Sequence, residues 1–191
     1  MIVPAKSQEG ARQRYQLWID IYVSSGADVL GIDLSEDMIE QAKVKVAEKG
    51  VENKISFLQG DILANNFTLS DVYDIGLCVR FFNWVPIKDV FKIVTSLSKH
   101  SNSFLLIGCT IVPENLSLLN KIKARCRLFQ SNRVRIRKTS AKRYIHGEKK
   151  FESFLQELNL KILEKKITLD TKYAVNYLYL IHKNNKHDKK Q

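Results

Sequence analysis

The sequence predicts a doubly wound α/β fold, in which a mostly parallel sheet ends in an antiparallel pair of strands. Two features predict this fold. From residue 28 to residue 111, short apolar runs alternate with amphipathic helical segments, as is typical of a parallel sheet covered by helices on both faces. After residue 158, two strand-like stretches follow one another directly, which indicates an antiparallel pair at the end of the sheet.

Periodicity places the elements of the first half in order. Ser35 is a good N-cap for the helix that follows the first strand, and Gly50 is its stop signal. The predicted elements are a helix at 11–24, a strand at 28–33, a helix from 35 to about 49, strands at 54–58 and 73–79, a helix at 86–99 and an apolar strand at 103–111.

The pattern changes after Pro113. Basic and apolar residues alternate over residues 133–138, which predicts a strand or an extended loop there. The other predicted elements are helices at 115–128 and 149–158 and strands at 160–169 and 173–183. A chain of 191 residues is long enough for one domain. We expect that domain to span residues 1–183, with residues 184–191 as a disordered polar tail.

Positive charge is concentrated in one segment, which lies within a basic insert at residues 113–150. The chain carries a formal net charge of +11, and residues 121–150 hold twelve Lys or Arg residues with a single acid, Glu148. A local basic block indicates an anionic partner, either a phosphorylated or acidic small molecule or RNA. Only Phe129 and Tyr144 could stack on bases, which weakens the RNA interpretation. A solvated, partly mobile insert remains the alternative.

Several classes of protein are disfavoured by composition. No apolar run approaches the roughly 18 residues of a membrane span, and the N-terminus lacks the pattern of a secretory signal. We therefore expect a cytoplasmic protein with no membrane partner. Cys78, Cys109 and Cys126 are odd in number and widely spaced, which favours reduced thiols and predicts no metal site. The sequence leaves the oligomeric state open.

Two acids follow successive predicted strands. Asp33 ends the strand at 28–33, and Asp61 lies 28 residues further on, in the turn after the next strand. Ligands of open α/β sheets bind at the carboxyl ends of the strands. A carboxylate there can accept hydrogen bonds from both hydroxyls of a ribose, and a second one can accept from the amine of an adenine. The alternative for Asp33 is a helix-start acid, although Ser35 already supplies the cap, and a Gly-Asp turn like that of Asp61 is common by itself.

Four stretches, "VLGIDLSEDMIEQAKVKV", "ISFLQGDI", "YDIGLCVRFFNWV" and "SFLLIGCTI", carry a family resemblance. In order and spacing they resemble consecutive motifs of the class I S-adenosylmethionine (SAM)-dependent methyltransferases. The resemblance covers about residues 10–111 and resumes at 144–183, and it implies a Rossmann-like methyltransferase fold. A nicotinamide-dependent dehydrogenase would share an acid at the second strand but would not need the later motifs.

The resemblance also implies roles for individual residues. It assigns the SAM ribose to Asp33 and the surroundings of the adenine to Leu34 and Met38. Asp61 and Ile62 would meet the adenine edge. Val79 and Arg80 would flank the methionine part and the acceptor pocket, and the basic insert would cover the acceptor.

The glycine-rich first motif of the family is not intact in this chain. Laid on residues 2–10, the pattern puts Pro4 at the acidic position and Lys6, Ser7 and Gln8 across the first glycine positions, so that only Gly10 matches. Glycines there let backbone N–H groups approach the cofactor. Three explanations remain open: a longer gene product, a degenerate relative that binds SAM poorly, or a different cofactor loop.

The acceptor side offers three candidate catalytic residues, Arg80, Asn83 and His146. Methyl transfer is an in-line displacement that alignment can accelerate, so it does not require a dedicated base. "RFFNWV" stands at 80–85, where amino-methylating nucleic-acid enzymes carry Asn-Pro-Pro-Tyr or Asp-Pro-Pro-Tyr. Its aromatic residues are expected in the core, and His146 could serve as a base or be structural.

The sequence therefore predicts a SAM-dependent methyltransferase that acts on a polar or anionic small molecule. The alternative is a non-catalytic, degenerate methyltransferase fold whose basic insert binds RNA or a protein partner.

Overall fold

The computed structural model describes residues 26–79, 81–139, 142–171 and 174–184. The chain divides into two compact units, one ending at Phe67 and the other beginning at Thr68. The elements in chain order are β1 (Val29–Asp33), α1 (Glu36–Ala47), β2 (Ile55–Gln59), β3 (Tyr73–Val79), a short 3₁₀ helix (Phe82–Trp84), α2 (Ile87–Lys99), β4 (Ser101–Val112), α3 (Leu118–Thr139), β5 (His146–Gly147), α4 (Glu148–Glu157), β6 (Leu160–Thr171) and β7 (Ala174–Lys183).

In the first unit, α1 connects two parallel strands. β1 pairs with β2 in the register Val29↔Ile55 to Asp33↔Gln59. The helix starts at the cap that the sequence predicts, because the Ser35 side chain accepts a hydrogen bond from the backbone N–H of Met38 at 3.4 Å. The buried residues Met38, Ala42, Val46 and Ile55 form the core of this unit.

A glycine in β1 makes room for an aromatic ring. A Cβ atom placed on Gly31 would lie 2.8 Å and 2.9 Å from two ring carbons of Phe57. These distances are too short for a side chain, so Phe57 can pack directly on the β1 backbone only because position 31 is glycine.

The second unit is built on a mixed sheet. Its strand order is β3-β4-β7-β6, with β5 paired to β4. β3 runs parallel to β4, whereas β7 runs antiparallel to both β4 and β6. The β6–β7 ladder shifts register twice, between Ile162 and Glu164 and between Ile167 and Leu169. Among the described residues, no helix is both long enough and apolar enough to cross a membrane.

The predicted fold class is confirmed, including the parallel strands joined by helices and the final antiparallel pair. One element prediction is wrong. Residues 133–138 form neither a strand nor a loop, because α3 continues through them to Thr139. No glycine or proline occurs between residues 114 and 146 to end the helix, and the Arg and Lys residues of this stretch are good helix formers.

Two other expectations stay predictions. The helix expected at 11–24 and the tail expected to be disordered at 184–191 lie outside the described residues, apart from Asn184. The single domain over residues 1–183 and the role of 113–150 as an insert also remain interpretations.

An ion-pair network joins α4 to the last two strands. Lys165 of β6 donates hydrogen bonds to Glu148 and, at 2.7 Å, to Glu152. The Tyr179 hydroxyl donates to the same Glu152 oxygen at 3.2 Å, and the Glu114 N–H donates to Glu148 Oε2 at 2.8 Å. Partial burial raises the pKa of Glu148, but the Lys165 bond and the Glu114 N–H lower it more, so its pKa lies below the ordinary value.

This network makes a pH-dependent contribution to stability. The depressed pKa means that Glu148 stabilises the fold above its ordinary value of 4.5 and that this contribution is lost as the pH falls through the folded-state value. We predict that Glu148→Gln lowers the free energy of unfolding at pH 7 by about 1 kcal/mol, since water still screens part of the pair.

Urea unfolding at pH 7 and pH 4 measures this effect. The difference between Glu148→Gln and the unaltered chain should shrink at the lower pH. Glu164→Gln, which alters an exposed acid on β6, is the matched control and should have little effect. Equal destabilisation by both variants at pH 7 would contradict the assignment.

Candidate functional site

Asp33 ends β1 and is held by the turn into α1. Its side-chain oxygen Oδ1 accepts a hydrogen bond from the Ser35 backbone N–H at 2.9 Å. Only 6% of the residue is exposed. A carboxylate offers about four acceptor positions, and the Ser35 bond fixes its orientation.

Asp61 lies beside that turn, at the end of the neighbouring strand. Gly60 N–H donates to the Asp33 carbonyl oxygen at 3.0 Å, and so the chain leaving β2 is tied directly to the end of β1. The Asp61 side chain accepts from Leu63 N–H at 2.9 Å, and the residue is exposed. Both acids therefore accept from the backbone two residues on, a local turn that holds an Asp side chain in place.

The three apolar candidates of this unit have different environments. Leu34 is 67% exposed, directly after Asp33. Met38 and Ile62 are buried, and Met38 belongs to the core of the unit. Leu34 can therefore contact a ligand directly, whereas the buried Met38 can only support the residues around it from within the core.

A residue that the sequence did not single out holds the position of Leu34. Gln59, the partner of Asp33 in the β1–β2 register, donates from Nε2 to the Leu34 carbonyl oxygen at 3.4 Å. No sequence signal points to this residue, because a glutamine at the end of a strand is usually only solvated.

Two of the predicted site residues, Gly10 and Arg80, lie outside the described residues. The same holds for Pro4, Lys6, Ser7 and Gln8. The interpretation of the glycine-rich first motif therefore stays a prediction.

The remaining candidates belong to the second unit and follow β3. Val79 is half-buried at the end of β3 and packs against Gly108 of β4, where an added Cβ would lie 2.8 Å from Val79 Cγ1. Asn83 accepts from Thr110 N–H through its side-chain oxygen at 3.1 Å, and its carbonyl oxygen accepts from Tyr144 N–H at 2.7 Å. Asn83 therefore joins the loop after β3 to β4 and to the segment before β5.

His146 lies in the short strand β5 and is buried, with 4% exposed. Its Nε2 lies 2.8 Å from the Phe82 carbonyl oxygen. Burial lowers the pKa of His146, and the hydrogen bond to Phe82 offsets this only in part, so the ring stays neutral at pH 7. This geometry favours a role in holding the loop that contains Asn83.

Asn132 ties the basic helix to the same segment. Its side chain donates to the Arg143 carbonyl oxygen at 2.8 Å and accepts from the Arg143 N–H at 2.7 Å. The Arg143 guanidinium in turn lies 5.3 Å from the centre of the Trp84 ring. Sequence reasoning missed Asn132, because an asparagine inside a run of arginines carries no sign that it is buried.

The aromatic residues of "RFFNWV" are partly in the core. Phe82 is fully buried and meets Phe151 edge to face at 6.3 Å between ring centroids, while Phe81 and Trp84 are half-buried. Phe82 and Phe151 therefore anchor the loop that follows β3 in the core.

Comparisons with known structures reveal similar folds. A magnesium protoporphyrin IX methyltransferase from Synechocystis PCC 6803, crystallised with SAH, has a TM-score of 0.62 and 19% identity over 92% of this chain and 84% of its own. The mitomycin 7-O-methyltransferase MmcR has a TM-score of 0.65 and 16% identity, over 96% of this chain and 48% of its own. A pericyclic reaction enzyme has a TM-score of 0.63 and 10% identity, over 96% of this chain and 43% of its own.

These likenesses establish the fold but not the reaction, since identities this low are shared by proteins with different chemistry. The chain spans about half the length of MmcR and less than half that of the pericyclic enzyme. Comparison with curated protein sequences finds no match.

A family model matches part of the sequence. Residues 17–103 match the family model described as a methyltransferase domain. That range contains β1, α1, β2 and β3, and with them both acidic strand ends. Residues 17–103 are therefore similar to the methyltransferase-domain family, and this match agrees with the resemblance of the sequence to the class I methyltransferases.

Proposed function

We propose that this protein binds SAM and transfers its methyl group to a polar or anionic small molecule. The observation that carries the proposal is the pair of acids at adjacent strand ends, joined by the hydrogen bond from Gly60 N–H to the Asp33 carbonyl oxygen. The methyltransferase-domain match and a neighbour crystallised with SAM agree with it.

The hydrogen-bond acceptors of the first unit fit an adenosine. Asp33 would accept hydrogen bonds from the ribose hydroxyls, and Asp61 would accept from the adenine amine. Because Asp33 is buried, its hydrogen bonds act in a low dielectric, where they are stronger than at an exposed site. The exposed Leu34 would supply an apolar contact for the base, and the buried Met38 and Ile62 would support the surrounding backbone.

SAM carries its methyl group on a positively charged sulfur, from which a nucleophile takes it by in-line displacement. The protein's part is to align the acceptor and to exclude water. Asn83 and Arg80 follow β3 and are the polar residues best placed in sequence to orient an acceptor. Arg and Lys residues within 121–150 would attract a phosphate or carboxylate group on it.

The non-catalytic alternative rests on the altered glycine motif, which leaves Gly10 as its only match. In that case the chain would keep the methyltransferase fold without SAM binding, and the basic insert would bind RNA or a protein. Calorimetry with SAM and S-adenosylhomocysteine distinguishes the two, because the alternative predicts no heat of binding.

We predict that Asp33→Asn weakens SAM binding about thirtyfold. The amide keeps an oxygen for the Ser35 N–H but replaces the second acceptor with a donor. Losing one charge-assisted hydrogen bond costs about 2 kcal/mol, and that energy corresponds to about thirtyfold in affinity.

The matched control is Asp28→Asn, which alters an exposed acid immediately before the opposite end of β1. It should bind SAM as the unaltered chain does. Calorimetry on both variants, with thermal unfolding to confirm their folding, measures the difference. Unchanged affinity in Asp33→Asn would remove this residue from the site.

A second prediction concerns Leu34. Because this side chain is already 67% exposed, Leu34→Ser should leave the melting temperature within about 2 °C of the original value, since exposed substitutions rarely matter for stability. We expect SAM affinity to fall about tenfold from the lost apolar contact. A variant with unchanged SAM affinity would show that the adenine does not rest on Leu34.

A third prediction tests whether His146 can act as a base. Its pKa below the ordinary value of 6.5 means that stability is complete above that pH and is lost as the pH falls through the folded-state value. NMR titration of the His146 ring should give a midpoint below 6.5, and His146→Gln should reduce the loss of stability between pH 8 and pH 5. His182→Gln, at a half-buried histidine of β7, is the control. A midpoint at or above 6.5 would instead favour a catalytic role.

A further inference from the structure

Helix α3 exposes large apolar side chains along one side. Leu118, Ile122 and Phe129 follow the spacing i, i+4 and i+11, which places them on one helical face. They are 73%, 48% and 70% exposed, and Leu119 is 68% exposed. We call these four residues the apolar stripe. Clustered exposed apolar side chains of this size mark interaction surfaces.

Two buried residues hold α3 in its own unit. Ala124 and Asn132 are buried, and Asn132 makes two hydrogen bonds with the backbone of Arg143. Ala124 lies on the side of the helix away from the stripe, whereas Asn132 lies at the edge of the stripe's face. The four side chains of the stripe are not buried by these contacts and remain exposed.

The same helix is strongly cationic. Leu118–Thr139 contains eight Lys or Arg residues and no acid. Lys123, Arg125 and Arg133 are exposed, and their positions lie beside or within the stripe's face. α3 thus combines an apolar surface with a dense positive charge.

We propose that α3 is a docking surface for a membrane that contains anionic lipid. A helix with an apolar stripe bordered by Lys and Arg can lie in the plane of a bilayer surface, with the stripe among the acyl chains and the cations at the head groups. Each cation near an anionic surface strengthens binding about fivefold. Such binding is peripheral and requires no membrane-spanning segment, so it departs from the expectation, based on the lack of an apolar span, that the protein has no membrane partner.

Other occupants fit this surface less well. A second copy of the chain would bring eight further cations against the first eight, and the two helices would repel one another. RNA would suit the charge, but Leu and Ile cannot stack on bases, and Phe129 is the sole aromatic residue of α3. An anionic bilayer uses both the charge and the apolar side chains.

Co-sedimentation with lipid vesicles tests the proposal on the full-length protein. The probes are vesicles of phosphatidylcholine alone and vesicles with roughly one part phosphatidylserine to three parts phosphatidylcholine. We expect binding to the anionic vesicles to be at least about tenfold tighter than to the neutral ones. No binding to anionic vesicles, or equal binding to both, would overturn the proposal.

Two sets of substitutions separate the contribution of the positive charges from that of the apolar side chains. Lys123→Glu, Arg125→Glu and Arg133→Glu together should weaken anionic vesicle binding at least tenfold, and so should Leu118→Ser, Ile122→Ser and Phe129→Ser together. The control for charge combines Lys88→Glu, Lys99→Glu and Lys161→Glu, which change the net charge equally at exposed sites outside α3. It should retain most of the binding.

The serine variant also separates a membrane from RNA. If it still bound vesicles as tightly as the unaltered chain, the attraction would be to negative charge alone, and the membrane proposal would fail. If it lost vesicle binding but kept its affinity for single-stranded RNA, the apolar contribution would be specific to lipid. Unaltered calorimetry with SAM in either variant keeps this test independent of the proposed methyl transfer.

Cys126 allows a direct measurement. It lies eight residues after Leu118, on the same face, and is exposed, whereas Cys78 and Cys109 are buried. Burial raises the pKa of Cys78 to about 12 and raises that of Cys109 as well, so a thiol reagent at neutral pH labels Cys126 selectively. An environment-sensitive dye there should shift to shorter wavelength on anionic vesicles. An unchanged spectrum on bound protein would mean that another surface makes the contact.

Discussion

The backbone hydrogen bond from Gly60 N–H to the Asp33 carbonyl oxygen is the contact on which the candidate site depends. It links the last residue of β1 to the residue that directly follows β2, and so it extends the parallel ladder to the end of the paired strands. Neighbouring strands lie about 4.8 Å apart, so this bond keeps the two acidic turns side by side. Each turn is then held by its own side chain, Asp33 to Ser35 N–H and Asp61 to Leu63 N–H. A ligand that needs two separated acceptors would find them already oriented.

The second unit uses buried polar groups to support a loop. Within the described residues, β5 contributes only His146 and Gly147 to the sheet. Asn132, Asn83 and His146 each bond a backbone group from another element, and together they connect α3, the loop after β3 and β5. Polar side chains are costly to bury unless they are satisfied, and here each of the three has a partner.

The sequence predicted what local pattern determines and missed what tertiary packing determines. Ser35, Gly50 and the apolar period of α1 are local signals, and the helix lies where they place it. The length of α3 was misjudged, because basic and apolar residues alternate over residues 133–138 as they would in a strand. The absence of a glycine or proline, which lets the helix continue, is a feature of the whole segment. Asn132 and Gln59 could not be found, since their partners Arg143 and Leu34 become neighbours only after folding. For the candidate site, the sequence indicated the two acids but not the turns that hold them.

The two register shifts along β6 limit how far the sheet can grow. Within the described part of the chain, β6 pairs with β7 alone and forms one end of the strand order. Each extra residue bends the strand and interrupts the regular row of N–H and C=O groups. A flat outer row of twelve residues would be a template for another protein's β-structure, whereas a bent row is a poor one. The irregular ladder therefore helps to keep this sheet from joining with others into fibrous aggregates.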